Sequence, residues 1–126
     1  MAPPFCVYVL DDDDSVRKAL SRLLLASGYD VKPYASPERF LEECPREAHG
    51  CLILDMTMPR MSGLQTQERM GEMGIILPII GISASDDNGA RERARDLGAS
   101  FFLQKPIDDQ ALLDAISWVV GAMKEA

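Results

Sequence analysis

The stretch FCVYVLDDDD, residues 5–14, decides the fold class, because an unbroken apolar run ends in four consecutive aspartates. A segment that is apolar at successive positions predicts a strand buried on both faces, as in a parallel sheet. Neighbouring carboxylates repel by about 4 kcal/mol at an effective dielectric near 20, and burial raises this cost. We therefore expect a cation or shared protons at the end of this strand.

Two further apolar runs end in the same way. Residues 51–54, CLIL, stop abruptly at Asp55, and residues 78–82, PIIGI, stop at Ser83. Because each run is apolar at consecutive positions, both are predicted to be central strands of the same sheet. A polar side chain thus follows each central strand directly.

Weaker signals predict two more strands and the helices between them. Residues 29–34 form a short strand that Pro33 confines to a sheet edge, and residues 100–103 form a strand that leads to Lys105. Apolar residues at helical spacing predict a helix after each strand, the last with a stripe at Leu112, Leu113, Ile116, Val119, Val120 and Met123. Five such alternations predict an α/β protein with one doubly wound, five-stranded parallel sheet and helices on both faces.

Composition limits the range of functions. The chain has 126 residues, 47% of them hydrophobic, which suits one domain with an ordinary core. A net charge of -7 argues against direct binding of nucleic acid or an anionic membrane surface by this chain. Without a membrane-length apolar run or a basic signal-peptide start, we expect a cytoplasmic location. The three cysteines have no zinc-site spacing and are predicted to be reduced and buried.

The polar residues at the strand ends predict the chemistry. In a parallel sheet the carboxyl ends of the strands meet at one edge, so Asp11, Asp12, Asp55, Ser83 and Lys105 should converge there. Carboxylate oxygens suit Mg²⁺, and an aspartate can act as a nucleophile that forms an aspartyl phosphate. We expect Asp13 and Asp14 to serve the following helix, where acidic groups in the first turn offset the macrodipole.

Four segments together resemble the receiver domain of two-component response regulators. They are VYVLDD (7–12), LDMTMP with MSG (54–59 and 61–63), IGISA (80–84) and FLQKP (102–106). SVRK (15–18) and SPERFL (36–41) are similar to the subgroup that carries a C-terminal helix-turn-helix. The resemblance implies a flavodoxin-like (α/β)5 fold with strand order 2-1-3-4-5, a receiver domain over residues 5–124, and no second domain in this chain.

The resemblance also implies the role of each site residue. Asp55 would be the phosphoacceptor, and Mg²⁺ would be bound directly by Asp12, Asp55 and the backbone carbonyl of Thr57, and by Asp11 largely through a water. Ser83 would move toward the phosphoryl group, and Phe102 would follow as the second switch residue. Lys105 would pair with the phosphate, with the bond between Lys105 and Pro106 in the cis form.

Partners follow from the same resemblance. The phosphoryl donor would be a sensor histidine kinase or a histidine phosphotransfer protein, and the output could be transcription. Homodimers would form through the fourth helix, fifth strand and fifth helix. The protein would dephosphorylate itself but turn over no external substrate, so it would not be an enzyme in the usual sense.

Other functions remain open at this point. One is a degenerate receiver that acts only as a protein-binding module, and another is a divalent-metal-binding domain that does not switch. A calcium loop starting at Asp11 would lack its turn glycine, where Val16 stands, and its final glutamate, where Arg22 stands. A phosphatase would need a second acid two residues after Asp55, where Thr57 stands. A flavodoxin-like cofactor carrier is disfavoured because four aspartates would repel a cofactor phosphate.

Overall fold

The computed structural model describes residues 4–84 and 88–125, and in this part of the chain five strands alternate with five helices. The strands are β1 (Cys6–Leu10), β2 (Asp30–Tyr34), β3 (Gly50–Asp55), β4 (Ile79–Ser83) and β5 (Ala99–Gln104). The helices are α1 (Asp14–Ala26), α2 (Pro37–Glu43), α3 (Gly63–Met73), α4 (Asn88–Asp96) and α5 (Asp109–Glu125).

All neighbouring strands are parallel, in the order β2-β1-β3-β4-β5. This confirms the predicted fold class and strand order. Pro33 lies in β2 at the sheet edge, as expected for a residue that has no backbone N–H to donate. Each strand differs from prediction by one residue at one or both ends. β1 begins at Cys6, β2 begins at Asp30, β3 extends to Gly50 and Asp55, β4 is shifted by one residue to Ile79–Ser83, and β5 extends to Ala99 and Gln104.

The core lies in two layers, one on each face of the sheet. Alternate strand residues point to opposite faces, so the continuously apolar strands supply both layers. The layer beneath α2, α3 and α4 includes Tyr8, Leu10, Phe40, Leu52, Leu54 and Met70. The layer beneath α1 and α5 includes Val7, Val9, Leu24, Ile53, Leu112 and Ile116. Helices on both faces are therefore confirmed.

Local signals in the sequence set the helix starts. Oδ1 of Asp13 accepts hydrogen bonds from the backbone N–H groups of Ser15 and Val16 at 2.8 and 3.2 Å, which makes Asp13 the N-cap of α1. Asp14 lies in the first turn. The helical role predicted for these two aspartates is confirmed. The hydroxyls of Ser36 and Ser62 cap α2 and α3 in the same way.

A close backbone approach occurs where β3 begins beside β1. Gly50 has φ of +159°, and a Cβ at this position would lie 1.7 Å from the carbonyl oxygen of Cys6. No side chain fits there without moving one of the strands. This glycine therefore permits the register in which Cys6 pairs with Gly50 and Leu10 with Leu54.

Two further predictions from the sequence concern the cysteines and membrane-spanning segments. Cys6, Cys44 and Cys51 are free and buried, as predicted. Burial raises the pKa of the Cys51 thiol to about 12. Among the residues that the structure describes, no helix combines the length and apolar character needed to cross a membrane.

Candidate functional site

The sheet brings Asp11 and Asp55 together at its carboxyl edge. Leu10 and Leu54 are partners in the register of β1 and β3, so the residues that follow them are neighbours. Asp11 is 0% exposed and Asp55 is 2% exposed, although each carries an ionisable carboxyl group. Two buried acids side by side have a high electrostatic cost unless a positive charge lies nearby.

Asp12 completes a cluster of three acids. Carboxyl oxygens of Asp11, Asp12 and Asp55 all lie within 4.8 Å of one another. Asp12 is exposed as a whole, yet partial burial of its carboxyl group, followed by the hydrogen bond to Asp55 and the charge of Asp55, raises its pKa. Burial is the largest cause of this shift and the charge of Asp55 adds to it, so a bound cation would lower the electrostatic cost of the cluster.

Lys105 supplies one positive charge to this cluster. Its Nζ lies 3.1 Å from Oδ2 of Asp11 and 3.6 Å from Oδ2 of Asp55. Partial burial lowers the pKa of Lys105, but the hydrogen bond to Asp11 and the charges of both aspartates outweigh burial, and the pKa is raised. Lys105 is therefore an ammonium ion at neutral pH, and one ammonium does not balance three carboxylates.

The ends of β4 and β5 hold Lys105 in place. The backbone N–H of Lys105 donates to the carbonyl oxygen of Ser83 at 2.8 Å, and the bond between Lys105 and Pro106 is cis. Ser83 is 5% exposed at the end of β4. The hydroxyl and the ammonium that the sequence places far apart thus reach the same edge.

Thr57 anchors one oxygen of Asp55. Its backbone N–H donates to Oδ1 at 3.0 Å, and its hydroxyl donates to the same oxygen at 3.2 Å. Oδ2 of Asp55 points toward Lys105 instead. The two oxygens of this carboxylate therefore have different surroundings, one held by neutral donors and one facing an ammonium.

Sequence reasoning missed Arg17. Its Nη1 donates to the backbone carbonyl of Asp11 at 2.8 Å, and its guanidinium forms an ion pair with Asp14. The backbone N–H of Asp13 also donates to Oδ1 of Asp11, at 2.9 Å. The spacing of three residues between Asp14 and Arg17 was the available signal, since such pairs meet on one helix face.

The donor set fits a divalent cation. Oδ2 of Asp11 is fully buried, and its contact within the described residues is the ion pair with Lys105 at 3.1 Å. Three carboxyl groups that converge on a rim open to water are the hard oxygen ligands that Mg²⁺ takes, together with water molecules. The cluster is therefore suitable for Mg²⁺.

Phe102 lies beside this cluster rather than in it. The partly buried ring packs over Gly81 in β4, where an added Cβ would lie 3.1 Å from two ring carbons and 3.4 Å from Cγ of Met56. Met56 directly follows Asp55. The absence of a side chain at Gly81 thus gives the ring its place next to the cluster.

Known proteins resemble this chain over most of its length. The model of the response regulator receiver domain family matches residues 7–117. The response regulator protein TodT of Pseudomonas putida is 44% identical over 110 residues, which cover 87% of this chain and 48% of TodT. The transcriptional regulatory protein TdiR of Thauera aromatica is 41% identical over 119 residues, which cover 94% of this chain and 52% of TdiR.

A solved structure agrees with these sequence matches. The response regulator StyR has a TM-score of 0.89 and 42% sequence identity, over 98% of this chain and 63% of the StyR chain. The chain spans about half the length of the curated relatives it matches.

Proposed function

The chain belongs to the response regulator receiver domain family, and on this basis we propose that it is a Mg²⁺-dependent switch phosphorylated on Asp55. The observation that carries the proposal is the asymmetric setting of the Asp55 carboxylate. Thr57 anchors Oδ1, while Oδ2 faces Lys105 beside two further acids. A carboxylate held in this way is a positioned nucleophile next to a cation that can stabilise phosphoryl charge.

In the proposed reaction, a carboxylate oxygen of Asp55 attacks the phosphorus of a phosphohistidine. The new O–P bond forms as the P–N bond breaks, and the imidazole nitrogen keeps the electron pair and takes up a proton. The Lys105 ammonium pairs with the phosphoryl oxygens, and Ser83 donates a hydrogen bond to one of them. Hydrolysis of the acyl phosphate resets the switch, so no external substrate is turned over.

We assign the cation to Asp11, Asp12, Asp55 and the Thr57 backbone carbonyl. The three carboxyl groups that lie within 4.8 Å of one another support this assignment. When bound, Mg²⁺ supplies the positive charge that offsets the carboxylates and the incoming phosphoryl group. The contacts of Arg17 and Asp13 with Asp11 would hold this ligand in position before the cation arrives.

The conformational change is assigned to Ser83 and Phe102. Ser83 would move toward a phosphoryl oxygen, and the Phe102 ring would follow into the vacated space. The location of the ring over Gly81 and beside Met56 supports this coupling, since it lies next to the acceptor residue. The two conformations would present different surfaces on α4, β5 and α5 to partners.

The proposed phosphoryl donor is a sensor histidine kinase or a histidine phosphotransfer protein. An apolar depression of about 410 Å³ next to Lys105 supports this proposal, since a helix of the donor could pack there. It is lined by Val16, Ala19, Leu20, Lys105, Pro106, Ile107 and Asp109. A donor bound there would hold its phosphohistidine close to Asp55.

The surface formed by α4, β5 and α5 is the proposed site of contact with partners that receive the signal. We propose homodimerisation through α4, β5 and α5, which is supported by the 63% exposed Trp118 on α5 and its edge-to-face contact with Phe101 at 5.4 Å. Residues 5–124 would be the receiver unit, in the cytoplasm, with control of transcription as its output. Nucleic acid would not be bound by this acidic chain itself.

The proposal is tested with acetyl phosphate and Mg²⁺. Intact mass should increase by one phosphoryl group in the wild type and in Asp13→Asn, whose side chain caps α1. Asp55→Asn should show no increase in mass. Chelation of Mg²⁺ should abolish the increase in the wild type and in Asp13→Asn. Labelling that persists in Asp55→Asn would contradict the assignment of the acceptor. A folded wild type that takes up no phosphoryl group would favour a domain used only for binding.

A further inference from the structure

Arg91 lies in the first half of α4, close to the Phe102 side chain of β5. The Cζ atom of its guanidinium lies 5.7 Å from the centroid of the Phe102 ring. This distance is within the range of a cation–π interaction, in which a positive charge is attracted to the face of an aromatic ring. Arg91 is half-buried, so water screens this attraction less than on a fully exposed surface.

Helix α4 contributes few of its described side chains to the core. Its sequence is NGARERARD, and among its described side chains only Ala94 is fully buried. The side-chain amide of Gln67 in α3 donates to the backbone carbonyl of Ala94 at 3.0 Å, in a buried position. Ala94 and Gln67 thus anchor the second half of the helix, and Arg91 joins its first half to β5.

The Phe102 ring contacts both Arg91 and residues next to the acidic cluster. It packs over Gly81 and close to Met56, which follows Asp55. The guanidinium of Arg91 lies 5.7 Å from the ring centroid. A movement of the ring away from its place over Gly81 would therefore change its contact with Arg91.

We propose that Arg91 is a positioning residue that holds the Phe102 ring in its place over Gly81 and links the phosphorylation state of Asp55 to α4. This inference rests on the proposed function. The contact stabilises the conformation in which the ring lies over Gly81, so a movement of the ring on phosphorylation would weaken it. By linkage, loss of the contact after phosphorylation would loosen the connection between β5 and α4.

The test compares Arg91→Gln with Arg93→Gln, since Arg93 is an exposed arginine two residues further along the same helix and the two changes remove equal charge. Arg91→Gln should be phosphorylated by acetyl phosphate about two- to five-fold faster than the wild type, the factor that corresponds to a weak cation–π contact. Arg93→Gln should match the wild type. Arg91→Lys should restore most of the wild-type rate, because an ammonium keeps the interaction.

A second readout follows the ring itself. The chain has four phenylalanines, so selective labelling gives four ring signals in NMR spectra. In unphosphorylated Arg91→Gln, the Phe102 signals should shift toward their positions in the phosphorylated wild type, while those of Phe5 stay unchanged. Equal rates and equal Phe102 signals in Arg91→Gln and Arg93→Gln would overturn the role of Arg91, even if the wild type is phosphorylated normally. A wild type that is not phosphorylated at all would overturn the proposed function as well.

Discussion

The ammonium nitrogen of Lys105 lies closer to Oδ2 of Asp11, at 3.1 Å, than to Oδ2 of Asp55, at 3.6 Å. Lys105 thus neutralises a proposed metal ligand at least as much as the proposed phosphoacceptor. A cation that binds Asp11 competes with this ammonium for the same carboxylate. Under the proposed function, Lys105 would then be released to pair with an incoming phosphoryl group.

Replacing Lys105 by methionine should therefore strengthen Mg²⁺ binding while it slows phosphorylation. Loss of the competing positive charge should lower the dissociation constant about three- to ten-fold, which equals roughly 0.7 to 1.4 kcal/mol. Calorimetric titration with Mg²⁺ measures this, and acetyl phosphate labelling measures the rate. Lys18→Met, an equal charge change at an exposed position of α1, should alter neither quantity. Weaker Mg²⁺ binding in Lys105→Met would argue against the competition.

Arg17 should support the acidic cluster through the backbone of Asp11. Arg17→Met removes the hydrogen bond to the Asp11 carbonyl and the ion pair with Asp14, and should lower the free energy of unfolding by about 1.5 to 3 kcal/mol. Mg²⁺ affinity should fall as well, because Asp11 is less well positioned. Urea denaturation and Mg²⁺ titration measure the two effects. Arg22→Met, at an exposed position of the same helix, is the control and should change stability by less than about 0.5 kcal/mol.

Two glycines should respond to alanine with opposite signs. In Gly50→Ala the new Cβ meets the carbonyl oxygen of Cys6, so unfolding should become easier by at least about 3 kcal/mol. In Gly121→Ala, on the exposed face of α5, the new Cβ meets nothing within 4 Å, and helix propensity should add up to about 1 kcal/mol. Thermal unfolding of both variants measures the difference. A neutral result for Gly50→Ala would mean that the strand register is not constrained at this point.

Stability should fall at alkaline pH because of the buried Cys51 thiol. Burial raises its pKa from the ordinary value of 9.0 to about 12, so between these values the unfolded chain releases a proton that the folded chain retains. The stabilisation is complete below pH 9 and is lost as pH rises toward 12, with a slope of up to about 1.4 kcal/mol per pH unit. Tyr8, whose pKa burial raises to about 12, acts in the same direction above pH 10.

The Cys51→Ala variant isolates the cysteine contribution. Its free energy of unfolding should be lower at neutral pH, since a buried side chain is shortened. It should decrease less steeply than that of the wild type between pH 9 and 10.5. Denaturant titrations at several pH values give both slopes. Parallel slopes in the two proteins would show that Cys51 is ionised equally in the folded and unfolded chains.

The main features of the fold could be predicted from sequence because the strongest local signals agree with the global arrangement. Three apolar runs ending in Asp11, Asp55 and Ser83 were sufficient to locate the central strands and the edge where their polar residues meet. Element ends were less well predicted. The ends of β5 depend on pairing with β4, which includes an irregularity between Ile79 and Ile80 that no local pattern indicates.

The sequence predicted which residues form the acidic cluster but not the contacts that hold these residues in place. Strand order is enough to bring Asp11 and Asp55 together, whereas the anchoring of Asp11 by Arg17 depends on a side-chain conformation. The same is true of Arg91 over Phe102 and of Gln67 beneath α4. Such contacts join residues whose sequence separation carries no periodic signal, and long polar side chains have many alternative positions.

The small contribution of α4 to the core also has an evolutionary consequence. Most of its side chains contribute little to the core, so substitutions along its outer face should cost little stability. Mutations can therefore accumulate on this helix while the acidic cluster and the sheet remain intact. Paralogues that share one phosphorylation chemistry could diverge here in the proteins they recognise, which would limit cross-talk between parallel signalling pathways in one cell.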